Sequence, residues 1–442
     1  MFWTAIILIT LTILFWDFVK KQRVVTYFHK HGLAGPSISL PLIGDVFVTL
    51  SADPKNILNF MRYLLDRYGK VCRLWIFHLL FIVVQDVQYL EPILSSQRLI
   101  KKGFAYDMLR GWLNDGLLLS NSHKWHARRK IITRSYHFSI LEQFLEVFDR
   151  QSEIFVKRLR GKADGKTAID IFPEVCLTAL DIITETAMGV KINAQKYPNV
   201  PYVKALTHTT HALANRIMQP AFYIDIVYNL THVLDNMRLK KSIQIMHDFT
   251  DGIIRERREA LNKSLAEKGQ KETEAQAEFE VQQVFNKNES ESITMSDMQN
   301  LKYLECVIKE ALRLYPSVPI ISRVTEEEFK IGNLILPPNT NVVMPLYAVA
   351  RDPKYFANPD DFLPERFLVE NTTKINPFAF VPFSAGPRNC VGQKFAMLEM
   401  KMIVGKVLRD YELLPLGPEV VPIVTLILRS TTGVHVGLKP RA

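Results

Sequence analysis

The segment that most restricts the fold is residues 382–392, PFSAGPRNCVG. Gly386 and Pro387 interrupt regular structure, and the apolar periodicity that follows predicts a helix over 391–409. Cys390 therefore stands on a turn at a helix N-terminus, where the helix dipole favours a thiolate. Arg388 adds a positive charge two residues earlier. A thiolate on a rigid loop suits the axial position of a haem iron. Gly386 and Gly392, lacking a Cβ, would let backbone approach a flat macrocycle. Taken alone, Cys390 reads as an ordinary buried cysteine; the string around it changes that reading.

The chain has 442 residues, 48% hydrophobic and 23% charged, which excludes collagen, a coiled-coil rod and wholesale disorder. Its net charge of +10 implies anionic neighbours. The basic residues are scattered, so no nucleic-acid partner is expected. Cys72, Cys176, Cys306 and Cys390 are too dispersed for a disulfide framework and include no CxxC pair for zinc, which fits a reducing compartment.

Residues 1–16, MFWTAIILITLTILFW, carry no charge. As a helix they span about 24 Å of a hydrocarbon core of about 30 Å. Phe18 and Val19 extend the run, the stems of Lys20 and Lys21 can snorkel, and Trp3 and Trp16 suit the interfaces. No positive segment precedes the run and no A-x-A-like site follows it, which favours an uncleaved anchor over a cleaved signal. Lys20, Lys21, Arg23 and Lys30 lie after it, so the body is expected on the cytosolic side. The expected division is an anchor over 1–19, a basic and Pro/Gly-rich linker over 20–45 acting as a hinge, and one domain over 46–442.

Within that domain, helical spacing covers 53–68, 122–160, 170–188, 202–230, 232–263 and 301–315, the last stopped by Pro316. Residues 71–84 read as a hairpin, and 329–345 and 420–436 as strands. Residues 352–367 are irregular, and 264–292 form a polar, flexible linker or frayed helix. The fold class is mainly α with small β-sheets.

The spacing Phe383-x-x-Gly386-x-Arg388-x-Cys390-x-Gly392 resembles the haem-binding signature of the cytochrome P450 superfamily. Glu310-x-x-Arg313, Pro364-Glu365-Arg366-Phe367 and Trp125-x-x-x-Arg129 also match family strings, in family order. The resemblance covers about nine-tenths of the body, from Pro36 onward. Strings such as LDIITETAMG and LKYLECVIKEALRLYPSVPII are most similar to family 4, the fatty-acid ω-hydroxylase branch.

The resemblance implies a haem b held between helices, with Cys390 as its axial thiolate and sole protein ligand. Trp125, Arg129, Arg323 and Arg388 would meet the haem carboxylates, where guanidinium groups suit carboxylate geometry. Phe383, Gly386 and Gly392 would shape the cradle. Glu310, Arg313 and Arg366 would form a fold-holding network; Glu310 and Arg313 share a helix face at i, i+3. His126 and His137 are the rival iron ligands, but neither lies in such a loop.

The resemblance further implies a monooxygenase of the endoplasmic reticulum membrane, acting on a fatty acid or related lipophilic substrate with O2. Its electrons would come from NADPH through a membrane reductase, with cytochrome b5 as a possible second donor. Arg128, Lys130 and Lys394 could steer an acidic partner; each also reads as plain surface charge.

One family element is missing. Members carry a central helix with an Ala/Gly-Gly-x-Asp/Glu-Thr motif that crosses the haem and relays protons. Residues 259–309 contain no such motif. A crossing helix of about 30 residues would be about 45 Å long and largely apolar, and nothing in this stretch could form it. The expectation is an absent internal block around 268–280, and an enzyme whose turnover is impaired. The alternatives are a haem or lipid binder of the same fold without activity, and a structural membrane protein without cofactor.

Overall fold

The computed structural model describes residues 1–50, 57–268 and 293–441. It is mainly helical, with small sheets, as the sequence predicts. The strands are β1 (Val71–Ile76), β2 (Leu79–Val84), β3 (Ala168–Asp170), β4 (Ile321–Val324), β5 (Phe329–Ile331), β6 (Leu334–Leu336), β7 (Asn341–Met344), β8 (Tyr411–Leu414), β9 (Pro422–Thr425), β10 (Ile427–Ser430) and β11 (His435–Pro440).

The largest sheet has the order β1-β2-β7-β4. β1 and β2 form the expected hairpin, with Ile76 opposite Leu79 and Phe77 in the left-handed region at φ 52°. β2 pairs parallel to β7, and β4 pairs antiparallel to β7, placing Arg323 opposite Val342. Both faces are covered. Ile82, Val84, Val342 and Met344 enter one core, while Cys72, Leu74 and Val83 pack with Phe60 and Leu64 in another. Burial on both faces is why these strands read as apolar runs instead of alternating.

A further core joins helix Phe138–Arg160 to helix Gln393–Asp410, the helix that follows Cys390. Leu141, Leu145 and Phe148 pack on Phe395, Met402 and Ile403. The Phe148 and Phe395 rings meet edge-on, 4.9 Å between centroids and 89° between planes. That is the geometry the ring quadrupoles favour.

Helix Lys302–Leu314 ends before Pro316 and carries Glu310 and Arg313, both fully buried. Arg313 Nε and Nη2 donate to the two Glu310 carboxylate oxygens, each at 2.8 Å. Arg366 Nε donates to Glu310 Oε1 at 3.3 Å, and the Leu363 amide to the same oxygen at 2.8 Å. Arg313 also donates to the carbonyls of Ala350, Pro359 and Asp361. The helix is thus riveted to the irregular chain between Ala350 and Arg366.

Several details differ from the sequence reading. The helical span over 122–160 is two helices, Ser122–Arg134 and Phe138–Arg160. The helix over 170–188 begins only at Phe172, after β3, and closes in a wide turn over Thr184–Met188, ended by Gly189 at φ 70°. The helix over 202–230 breaks at Gln219-Pro220 into Pro201–Met218 and Asp225–Thr231, because proline lacks the amide the ladder needs. Helix Val233–Lys268 runs past residue 263; the rest of the polar stretch, 269–292, and positions 53–56 lie outside the described residues. The N-terminal helix does not stop at residue 19 but continues over Phe2–Lys30.

The apolar part of that helix is long and hydrophobic enough for a membrane span, with mean hydropathy 2.0 and none of that window buried. Its second part docks on the body instead of forming a linker. Phe28 is fully buried, and Lys21 is 1% exposed. The Lys21 ammonium, expected to snorkel, donates to Asp17 at 2.8 Å and to the Leu40 carbonyl at 3.3 Å. Residues 34–45 are not a hinge either: Ala34 bridges Cys72 and Gly44 bridges Ile76 along β1. A Cβ on Gly44, at φ +66°, would lie 2.6 Å from the Trp75 carbonyl.

Removing one member of a buried ion pair leaves the other charge without compensation. Glu310→Ala is expected to destabilise the protein by about 3–5 kcal/mol, read as a lowered urea midpoint of the full chain in detergent. An unchanged midpoint would contradict this account of the Arg313 rivet.

Candidate active site

The loop around Cys390 is closed by its own backbone. The Cys390 amide donates to the Phe383 carbonyl at 2.8 Å, and the Asn389 amide to the Gly386 carbonyl at 3.1 Å. Cys390 itself is a free, exposed thiol just before helix Gln393–Asp410. Gly386 adopts φ +66°, and a Cβ there would sit 1.9 Å from the Leu94 carbonyl oxygen. A contact that demands glycine is thus made with the end of helix Val87–Ser95. Gly392 makes no such demand: its added Cβ would meet only the Tyr136 ring, at 3.6 Å.

Helix Ser122–Arg134 lies against this loop. Arg129 donates to the Asn389 carbonyl at 2.7 Å and to Asn389 Oδ1 at 2.6 Å. The guanidinium expected at a cofactor carboxylate is therefore turned onto the residue before Cys390. Its acidity is raised by burial, and the Cys390 charge opposes that shift. Trp125, 3% exposed, lies under the Arg388 guanidinium at 4.5 Å from the ring centroid. Arg388 donates to the carbonyls of Ile100 (2.8 Å) and Ser120 (2.5 Å) and to Asn121 Oδ1 (3.0 Å).

Arg388 has cationic company. Arg323 on β4 is 1% exposed, and its Nη1 donates to its neighbour's carbonyl, Ser322, at 3.0 Å. Lys102 bridges to Arg323 through the backbone and holds its ammonium 4.8 Å from the Tyr106 ring centroid. Burial, then Arg323 and Arg388, push the Lys102 ammonium well below its ordinary pKa. Burial, then Arg323, bring the Arg388 guanidinium down to about 10. Burial also lowers Arg323. No carboxylate acts on any of the three among the described residues.

Three cations sequestered together repel one another and are each poorly solvated. An anionic ligand with carboxylate arms would relieve both penalties. The donor set beside the thiol therefore fits a haem: one soft ligand on a loop, and buried positive groups for the carboxylates. Iron held by one protein ligand also needs equatorial ligands from elsewhere, which a porphyrin supplies. The rivals stay outside this arrangement, since His126 and His137 are both exposed. Lys102 was not singled out from sequence, because the string IKKGF reads as a surface lysine pair; only the bridge to β4 draws it in.

Next to this cluster lies an apolar cavity of about 750 Å³. Tyr106 and Ser322 border it on the cluster side, with Phe81, Val343 and Leu109 among its apolar walls. The volume falls in the range of sites that enclose a small lipophilic molecule.

Helix Gln393–Asp410 carries an unpartnered acid. Glu399 lies on the same side as Phe395, Met402 and Ile403, at i−4, i+3 and i+4, facing the apolar core. Its Oε1 is buried without a hydrogen-bond partner, and burial raises the carboxyl to about 7.

Comparison with known proteins matches the cytochrome P450 family model to residues 34–273 and 269–434. The chain is 42% identical to cytochrome P450 4d2 of Drosophila melanogaster, over 98% of this chain and 97% of that protein. It is 41% identical to probable cytochrome P450 4d20 of the same organism, over 97% of each. It is 33% identical to human cytochrome P450 4V2, over 95% of this chain and 93% of that protein. The alignment with 4d2 runs over 494 positions, more than the 442 residues of this chain.

Two measurements test this geometry. Gly386→Ala forces a Cβ into the Leu94 carbonyl at a positive φ, and is expected to cost about 2 kcal/mol or more, seen as a lower thermal midpoint. Glu399 is held neutral in the fold, so its stabilising contribution is complete below its ordinary 4.5 and is lost as pH rises through about 7. Glu399→Gln is accordingly expected to match the wild type in thermal midpoint at pH 4 and exceed it at pH 8. Parallel pH profiles for the two proteins would disprove the assignment.

Proposed function

The chain belongs to the cytochrome P450 family and is a P450-type monooxygenase with haem as its cofactor and a redox partner as its electron source; on that premise we propose that it oxidises a fatty acid or related lipid at the endoplasmic reticulum membrane. Cys390 would hold the haem iron through its sulfur. Lys102, Arg323 and Arg388 would hold the haem carboxylates, with Trp125 packed beneath Arg388 and Arg129 clamping the loop through Asn389. The observation that carries this reading is the buried set of cations beside the Cys390 loop that has no carboxylate partner among the described residues.

When bound, the haem supplies one-electron chemistry and oxygen activation, and a thiolate ligand donates electron density to such an iron. The protein does the rest. Cys390 is presented by a loop that Gly386 presses onto Leu94, so the sulfur position is set by packing rather than by a mobile chain. Arg129 fixes the residue before that sulfur by donating to the Asn389 carbonyl and to Asn389 Oδ1. The apolar cavity takes the acyl chain out of water and positions one end of it toward the cofactor. The helix Phe2–Lys30 anchors the body, which faces the cytosol and receives NADPH-derived electrons through a membrane reductase, with Arg128, Lys130 and Lys394 steering it.

A second reading has its own support. The family model matches in two pieces that meet at 269–273, and relatives align over more positions than this chain has. An internal block carrying the proton-relay helix is then absent, and the protein binds haem and lipid but couples electron flow poorly to oxygen insertion. The orphaned Glu399 carboxyl fits a packing partner lost with that block.

The full chain in lipid nanodiscs is expected to give the thiolate-type band in its reduced carbon monoxide spectrum, and Cys390→Ser to lose it. Absence of haem uptake by the folded wild type would sink both readings. With a reductase and NADPH, hydroxylated fatty acid as the main product supports the first reading; NADPH consumed with peroxide as the main product supports the second.

A further inference from the structure

The cavity beside the cation cluster has one charged side chain in its wall among the described residues. That residue is Arg429, on β10. The other polar groups there, such as Thr49, Thr210, Gln219 and Tyr223, are neutral. Charge is costly in an apolar wall unless something pairs with it.

Arg429 is poorly paired. Its Nε is buried and has no hydrogen-bond partner. Its guanidinium carbon lies 5.3 Å from the Phe172 ring centroid, a contact that leaves the in-plane donors free. Its positive charge, after burial, disfavours the cationic form of His211. No carboxylate lies within ion-pair distance of it among the described residues; Asp170 instead accepts the amides of Phe172 and Val434.

β10 sets this direction. Ile427 and Arg429, two residues apart on the strand, both line the cavity. Strand periodicity thus delivers one guanidinium into an otherwise apolar wall. Such a wall with a single unpaired fork-shaped donor complements an amphiphile with one carboxylate and a long apolar tail.

We propose that Arg429 is a specificity-determining residue that binds the carboxylate of a free fatty acid, so that the cavity selects acids over their esters or alcohols. This rests on the reading above that the cavity takes an acyl chain. The Lys102, Arg323 and Arg388 cluster does not compete for that carboxylate in the holoenzyme, because the haem carboxylates use it.

The test is equilibrium binding of dodecanoate and methyl dodecanoate to the haem-loaded full chain in nanodiscs, by calorimetry. The wild type is expected to bind the acid about tenfold more tightly than the ester. Arg429→Leu is expected to lose that preference through weaker acid binding, with ester affinity unchanged, while Arg429→Lys keeps part of it. An unaltered haem spectrum certifies the fold of each variant, and Arg429→Gln replaces Arg429→Leu if the latter does not accumulate. Equal affinity of the wild type for acid and ester, or a preference that survives loss of the guanidinium, overturns the role of Arg429 and leaves the acyl-chain reading standing. Failure of the wild type to bind either ligand overturns both.

Discussion

Two opposite charges with no access to water, Glu310 and Arg313, set the register between a helix and the irregular chain that follows the central sheet. Arg313 spends its remaining donors on three carbonyls of that chain, and its guanidinium also lies 5.1 Å from the Phe356 ring centroid. Every polar atom of the pair is thereby answered. A buried ion pair contributes little net stability compared with apolar side chains of the same size. What it provides here is position: segments without regular hydrogen bonding of their own are held by one fork of donors.

The candidate site is built on the opposite principle. Around Glu310 the charges are matched, whereas Lys102, Arg323 and Arg388 are gathered without an acid among the described residues. A protein that buries like charges together must recover the lost solvation from a ligand. The same logic, on a smaller scale, marks Arg429 in the wall of the cavity. The contrast between satisfied and unsatisfied charge separates what holds the fold from what awaits a partner.

Much of this was legible along the chain. The hairpin over β1 and β2, the helix ending before Pro316 and the helix after Cys390 depend on contacts between near neighbours, and periodicity and turn residues report those directly. Boundaries were less legible where tertiary packing overrode local signals. Lys20 and Lys21 looked like the end of an apolar span, yet the helix continues to Lys30 because Phe28 and Lys21 find partners on the body. Gly386 is required by the approach of Leu94, and no local pattern in the sequence encodes that approach.

The spacing from Phe383 to Gly392, the i, i+3 pairing of Glu310 with Arg313 and the apolar N-terminal run were determined by sequence alone, because each is a short-range property of ordered side chains. Tertiary structure decided which cations share one site. Arg388 bonds the carbonyl of Ile100 across 288 positions of chain, and Lys102 reaches Arg323 only because a bridge joins their backbones. It also decided that Arg429 opens onto a cavity rather than onto solvent. Contacts made across such separations depend on how whole elements pack, and no window of residues carries that information.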